Sequence, residues 1–412
     1  MVELVHSQSW VETANNANTE FPLNNLPYGV FSHEAPDRRL GVAIGDYVLD
    51  LRKVGADLPL SESLITDKRG WNGVMEAGPS LWAALRSALT DLLHHDAPAR
   101  PEALLPLSDI SLHMPFRVAE FTDFFSCENH ALNAGRIYRG DAYELPPNWH
   151  HMPVGFAARA SSVVVSGTPV HRPCGQIAGP GKASPRWGKS TSLDIELELG
   201  AIVGKASSGP LTVEEADEHI FGYVLLNDWS ARDLQAWESR PFGPLVSKSM
   251  ATTISPWIVT KDALEPFRVS KSPSGRQLLP YLHHDKPVHY DLNLSIGLQP
   301  ANGPMQTVST ANASELYFSA AQQLAHLAST GAPMRTGDLL GSGTISGPDR
   351  QSRGSFLELS WGGQEPLLIN GGSRTFLEDG DMVTLTGMAN AGSFKIGFGD
   401  CSGSIMPPKT EE

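Results

Sequence analysis

Asp194-Ile195-Glu196-Leu197-Glu198-Leu199 alternates acidic and apolar residues, and that period of two is the signature of a β-strand. Side chains on a strand repeat every second residue, so Glu196 and Glu198 share one face while Ile195 and Leu197 share the other. Further along, the apolar run Ile220-Phe221-Gly222-Tyr223-Val224-Leu225-Leu226 predicts a second strand ending near Asp228. Ser230-Ala231-Arg232-Asp233-Leu234-Gln235-Ala236-Trp237 then has helical character. Upstream, Asp123 is flanked by aromatics in Phe121-Thr122-Asp123-Phe124-Phe125. Carboxylates beside apolar strands are expensive unless a cation pairs with them. An all-oxygen ligand set favours calcium or magnesium over zinc. Standing alone, an E-x-E strand is the wet face of a sheet and an aspartate after a strand is a turn or helix cap. Spacing by itself does not bring the four acids together in space.

Other segments carry chemistry-bearing residues. Asp123 and His130 lie seven apart in helix-compatible sequence, which would put them on one helix face and make His130 a candidate general base. Lys248, among small residues before Thr252-Thr253-Ile254-Ser255-Pro256-Trp257, is either a cation beside an acidic site or a loop charge. Glu358 in Ser355-Phe356-Leu357-Glu358-Leu359-Ser360-Trp361 reads as mid-strand, and a buried glutamate there wants a partner such as histidine. Gly175-Gln176-Ile177-Ala178-Gly179-Pro180-Gly181-Lys182 lacks the spacing of a phosphate loop and reads as a flexible loop. The pairs His94-His95, His150-His151 and His283-His284 read as structural or surface residues.

Composition bounds the class. The chain has 412 residues, 41% hydrophobic and 18% charged, enough for substantial cores and against wholesale disorder. Its 39 Gly and 31 Pro favour many turns and short strands. Three cysteines, Cys127, Cys174 and Cys401, form no C-x-x-C pair, which argues against a disulfide framework or a cysteine-based zinc site. The absence of a signal-peptide pattern, of a run of 18 apolar residues and of a C-terminal address predicts a cytoplasmic protein without a membrane partner. A formal net charge of -14 disfavours nucleic acid and requires an anionic substrate to be held by local Arg and Lys.

Residues 1–20 are polar and read as a flexible lead-in. An N-terminal domain over 21–110 contains a hairpin about Gly45-Asp46 and a helix over 80–93 after Pro79. The Pro-rich stretch 97–106 marks the boundary. A β-rich catalytic domain over 111–412 follows, with one substantial helix near 315–329.

Several long words, in order, resemble the fumarylacetoacetase family: Asn25-Leu26-Pro27-Tyr28-Gly29-Val30-Phe31-Ser32, Gly41-Val42-Ala43-Ile44-Gly45-Asp46, the segment from Gly155 to Gly167, Asn227-Asp228-Trp229-Ser230-Ala231-Arg232-Asp233, Thr253-Ile254-Ser255-Pro256-Trp257 and Ser342-Gly343-Thr344-Ile345-Ser346-Gly347. The resemblance covers nearly the whole chain. It implies a mainly β protein with some α, built of a small SH3-like barrel N-terminal domain and a β-roll catalytic domain, working as a homodimer. It implies a metal-dependent hydrolase cleaving a C–C bond in a β-diketo acid, with magnesium or calcium as cofactor.

Position by position, the resemblance makes Asp123, Glu196, Glu198 and Asp228 the metal carboxylates, with Lys248 and Thr252 beside them. It makes His130 the general base and Glu358 its orienting carboxylate. Arg232, Gln235 and Lys248 match the oxyanion-holding groups, and Arg139, Gln235 and Thr344 match substrate contacts. Three positions depart from the family pattern: Phe125, Phe156 and Ser239 stand where typical members carry substrate-contacting tyrosines. Cys127-Glu128 also replaces the usual small or basic residues before the base. These departures favour an altered, bulkier or less polar diketone-like acid. Enolate chemistry without hydrolysis (decarboxylation or tautomerisation) and a non-catalytic dimeric paralogue are the competing readings. The presence of both His130 and Glu358 favours hydrolysis.

Overall fold

The computed structural model describes residues 5–179, 184–271, 277–370 and 372–409. The end of the glycine-rich loop singled out in the sequence, from Pro180 to Lys182, lies outside them. The architecture is mixed α/β around a thirteen-stranded sheet. Its main path runs Leu104–Pro106, Tyr47–Asp50, Arg39–Ile44, Tyr28–Ser32, Trp257–Thr260, Ile220–Asp228, Leu197–Val203, Leu339–Gly341, Phe121–Phe124, Gly155–Ala158. Thr252–Ile254 pairs with Ile220–Asp228 on one side and with Val163–Val165 on the other. The predicted hairpin forms, with Ile44 opposite Tyr47 across Gly45-Asp46, and Gly45 has the positive φ (55°) that such a tight turn favours.

The N-terminal strands and strands from the region after residue 110 belong to one sheet. Tyr28 pairs with Ile258 and Gly29 with Trp257. A Cβ on Gly29 would fall 2.4 Å from Trp257 Cζ3, so only glycine allows this approach. Ser111–His113 continues along the same edge, opposite Val30–Ser32. A second, six-stranded sheet includes Asn293–Gln299, Met382–Asn390 and Cys401–Met406. Leu199, Tyr223 and Leu225 of the large sheet share its core with Leu294, Ile296, Leu298 and Leu385. Leu197–Val203 and Ile220–Asp228 are buried at every position, as the continuous apolar run of the second strand predicts.

The helix after Pro79 spans Pro79–Leu93 and buries Trp82, Leu85, Leu89 and Leu93 on one stripe. Four expectations change. The helix expected near 315–329 is Ala320–Ala328, because Ser319 and Gln322 form a reciprocal capping box that fixes its start. Glu358 lies in a short helix, Phe356–Leu359, not mid-strand; Ser355 Oγ caps it by accepting from Glu358 N. Asp123 and His130 do not share a helix, since Asp123 is on the strand Phe121–Phe124 and His130 on the helix Glu128–Arg139. Residues 9–15 of the expected loose lead-in are packed: Val11 and Ala14 are buried, and Ser9 Oγ donates to Leu93 O at 2.6 Å.

Candidate active site

The large sheet brings the four acids to one place. Leu339–Gly341 runs parallel to Phe121–Phe124 with Gly341 opposite Asp123, and antiparallel to Leu197–Val203 on its other side. Carboxylate oxygens of Asp123, Glu196 and Glu198 lie within 4.8 Å of one another. Asp228, at the end of its strand, joins them through Lys248, whose Nζ donates to Glu196 Oε2 at 2.6 Å and to Asp228 Oδ2 at 2.7 Å. Thr252 Oγ1 donates to Asp228 Oδ1 at 2.7 Å, and Gly343 N donates to Glu198 Oε2 at 3.0 Å. All four acids are buried, together with Lys248 and Arg232.

Burying four carboxylates against two cations leaves a deficit of positive charge. Burial, with the charge of Asp228 added, pushes the Asp123 carboxyl well above the usual carboxylate range. Burial and neighbouring Asp123 do the same to Glu198. Asp228 is also raised, burial outweighing Lys248. Glu196 goes the other way: burial opposes its ionisation, yet Lys248 and Arg232 hold it far below the usual range. Asp123 Oδ1 and Glu198 Oε1 are buried without a hydrogen-bond partner. A Cβ on Gly341 would sit 3.1 Å from that Asp123 oxygen and 2.9 Å from Glu198 Oε2, so the glycine keeps the space between them open. Orphaned carboxylate oxygens around such a gap, in surroundings that disfavour their charge, fit a hard divalent cation, which would satisfy the oxygens and stabilise their ionised form.

Beside this cluster stands a second buried unit. His130 Nδ1 is 2.6 Å from Glu358 Oε2. The same oxygen accepts from Ser346 Oγ at 2.9 Å and Ser355 Oγ at 2.8 Å, while Glu358 Oε1 accepts from Asn133 Nδ2 at 3.0 Å. Burial works against the Glu358 anion, but His130 and these donors prevail and hold its carboxyl below the usual range. Binding of Nδ1 to a carboxylate leaves Nε2 as the working nitrogen.

A cavity of about 550 Å³ opens over both units. Asp123, His130, Glu196, Arg232, Gln235 and Lys248 line it, as do the expected substrate positions Phe125, Arg139, Phe156, Ser239 and Thr344. Glu198, Asp228, Thr252 and Glu358 are not on its wall; each is buried and bonded to residues of the site. Arg232 Nη1 reaches Glu196 Oε1 at 2.7 Å and donates to Gln235 Oε1 at 3.0 Å, which leaves the Gln235 amide N–H groups to donate elsewhere. Arg232 Nη2 and Thr344 Oγ1 are buried polar atoms without partners. Phe125 meets the His130 ring edge to face at 5.3 Å.

Sequence reasoning missed several members. Asp194, fully buried, accepts from Arg232 Nε at 2.7 Å and from the backbone of Phe356 and Leu357 at 2.6 and 2.9 Å. It thereby ties Arg232 to the short helix that carries Glu358. Its position two residues before Glu196, on the same parity, was the available signal. Asn133, Ser346 and Ser355 around Glu358 carried no comparable signal, nor did Tyr138 and Tyr143 on the cavity wall.

Two family models match: "Fumarylacetoacetase N-terminal" over residues 24–115 and "Fumarylacetoacetate (FAA) hydrolase C-terminal" over residues 121–405. The chain is 43% identical over 408 residues to the fumarylacetoacetases of Rattus norvegicus and Homo sapiens, covering 95% of this chain and 97% of each relative. The Arabidopsis thaliana fumarylacetoacetase is 42% identical over the same length. Among solved structures, a fumarylacetoacetate hydrolase from Exiguobacterium antarcticum superposes with a TM-score of 0.55 at 18% identity, covering 93% of this chain and 99% of that one. A maleylpyruvate hydrolase from Sphingobium gives 0.51 at 18% identity, with 93% and 100% covered. On both halves of its sequence, and along nearly its full length, the chain belongs to the fumarylacetoacetase family.

Proposed function

We propose that the protein is a metal-dependent hydrolase that cleaves the C–C bond of a β-diketo acid, fumarylacetoacetate or a close relative, with His130 as general base. The observation that carries this reading is the buried His130–Glu358 pair, 2.6 Å apart, opening onto the cavity that Asp123 and Glu196 also line. Glu358 holds the imidazole with its proton on Nδ1, so Nε2 takes the proton of the attacking water, and the carboxylate stabilises the resulting imidazolium. Arg232 Nη2, the Gln235 amide and the third Nζ proton of Lys248 supply donors for the oxyanion that forms at the attacked carbonyl. Thr344 Oγ1 and Arg139 offer a hydroxyl and a cation for substrate oxygens. A divalent cation held by Asp123, Glu196, Glu198 and Asp228 would supply Lewis acidity toward the diketone oxygens. The all-oxygen donor set supports magnesium or calcium. An exposed apolar run beside the cavity mouth, with Phe242 at 97% and Leu245 at 60% exposure, supports a homodimer. No described helix is long and apolar enough to cross a membrane, and we assign the enzyme to the cytoplasm.

A specific observation favours a relative of fumarylacetoacetate as substrate. Phe125, Phe156 and Ser239 all line the cavity, and none brings the phenol hydroxyl that the family pattern carries there. Each lost hydroxyl forfeits roughly 1–3 kcal/mol where its partner on the substrate is charged. The test is turnover of fumarylacetoacetate with added magnesium or calcium, followed by loss of ultraviolet absorbance, with His130→Ala as control. Rapid metal-dependent loss that disappears in the variant supports hydrolysis of fumarylacetoacetate itself. No turnover by folded, metal-loaded protein rejects that substrate and points to a less polar diketo acid. Activity that survives His130→Ala overturns the role of His130.

A further inference from the structure

A second cavity, of about 530 Å³, shares no lining residue with the first and lies where the N-terminal strands meet the segment 117–163. Five cationic side chains line it, Arg38, Arg39, Lys68, Arg69 and Arg117, against a single carboxylate, Asp67. In a chain of net charge -14 such a local excess of positive charge is unexpected. The cations come from three separate segments: the start of the strand Arg39–Ile44, the loop between the helices Glu62–Ile65 and Asn72–Glu76, and the link from Ser111–His113 to Phe121–Phe124.

Their pairing is uneven. Arg69 is committed to Asp67 and Glu76, at 2.9 and 2.7 Å, and Arg39 Nη1 to Asp50 at 2.9 Å. Arg38, Lys68 and Arg117 form no side-chain ion pair among the described residues. Arg39 Nε, 3.8 Å from Asp37 Oδ2, is buried with no hydrogen-bond partner. Beneath this rim the floor is apolar, formed by buried Val30, Ile65, Phe116 and Val163. Unpaired cations around an apolar floor suit a ligand that is anionic at one end and apolar at the other, since the rim supplies charge-assisted donors while the floor removes apolar area from water.

We propose that this cavity binds a small organic anion with an apolar body, of the aryl or acyl carboxylate class, independently of the catalytic site. The carboxylate lies among Arg38, Arg39, Lys68 and Arg117, and the apolar body rests on Phe116 and Val163.

The experiment is a fluorescence titration of the full-length protein with 8-anilinonaphthalene-1-sulfonate, an aryl anion that brightens in apolar surroundings, followed by displacement with 2-naphthoate. The expected result is saturable binding that 2-naphthoate reverses and that weakens with salt. Replacing Arg38, Lys68 and Arg117 together by Gln weakens it by roughly tenfold. Arg139→Gln with Arg240→Gln, which removes two cations of the catalytic cavity, leaves the titration unchanged. Should the triple variant unfold, Arg117→Gln alone, an exposed side chain, weakens binding by roughly two- to threefold. Unsaturable binding, equal affinity in the rim variants, or loss confined to the Arg139/Arg240 variant overturns the proposal.

Discussion

Replacing Glu358 by Gln tests the catalytic reading most sharply, because it removes charge while preserving volume. In the structure Glu358 Oε2 receives three donors (His130 Nδ1, Ser346 Oγ and Ser355 Oγ) and Oε1 receives Asn133 Nδ2. A glutamine with its oxygen in place of Oε2 still accepts the first three. Its amide nitrogen then faces Asn133, which turns its own oxygen inward. The fold and the orientation of His130 therefore survive. What disappears is the anion 2.6 Å from the imidazole. A neutral amide cannot stabilise the imidazolium formed as water loses its proton, and the residue is fully buried, so solvent cannot substitute. Base–orienter pairs of this kind lose on the order of 10³–10⁴ in kcat when the orienting charge is removed, or about 4–5 kcal/mol of barrier. The assay is steady-state loss of diketo acid absorbance at saturating metal, with thermal unfolding and metal binding measured in parallel. A kcat within about tenfold of wild type, in a protein that still binds metal, would refute the assignment of His130 as a base dependent on Glu358.

Other consequences are as concrete. Magnesium or calcium is expected to raise the unfolding temperature of metal-stripped protein, since ligands that bind only the native state stabilise it; in Glu198→Gln, which removes one orphaned carboxylate, calorimetry should find that rise largely gone. His289 is buried, and burial, aided by Lys271 and His284 and only partly opposed by the nearby backbone of Leu316 and Tyr317, lowers its pKa from 6.5 to about 3. The unfolded chain therefore binds the extra proton between these values, and the stabilisation is full above 6.5 and drains away as pH falls toward 3. Urea unfolding at about pH 5 should show roughly 2 kcal/mol of stability lost through this group relative to neutral pH, and His289→Leu should remove that dependence. Gly29→Ala would force a Cβ to 2.4 Å from Trp257; overpacking of this kind costs about 1–3 kcal/mol, and an unchanged urea midpoint would show that the strand pair yields more easily than its register implies.

Much of the site was legible because its acids sit where local patterning is strong. Alternation in 194–199 put Glu196 and Glu198 on one face of a strand; Glu198 does lie on Leu197–Val203, with Glu196 in the break just before it, and the apolar run before Asp228 located the end of the neighbouring strand. Local patterning failed where tertiary contacts override it. Glu358 sits between Leu357 and Leu359 as a mid-strand residue would, yet a serine cap and the Asp194 carboxylate gripping two backbone N–H groups wind the segment into a helical turn. Asp123 and His130 are separated by a break at Phe125–Cys127, where Trp149 Nε1 donates to Phe125 O and Tyr317 N to Ser126 O, neither of which a sequence window reveals. The family resemblance supplied what periodicity could not, namely which isolated His and Glu belong together.

The joint between Gly29 and Trp257 has a consequence for biogenesis. During synthesis the N-terminal strands emerge first, but the edge of Tyr28–Ser32 that Trp257–Thr260 will cover stays open until the ribosome has made most of the chain. Ser111–His113 can close only the Val30–Ser32 end in the meantime. An uncovered strand edge beside exposed apolar residues is a template for wrong pairing. Conversely, a chain stripped of its first hundred or so residues would bare Ile254, Ile258, Phe221 and Leu226, which share a core with Leu26, Tyr28 and Trp71. Attempts to produce the C-terminal part alone should therefore yield aggregates, and substitutions at this seam should lower the amount of enzyme made before they alter the chemistry it performs.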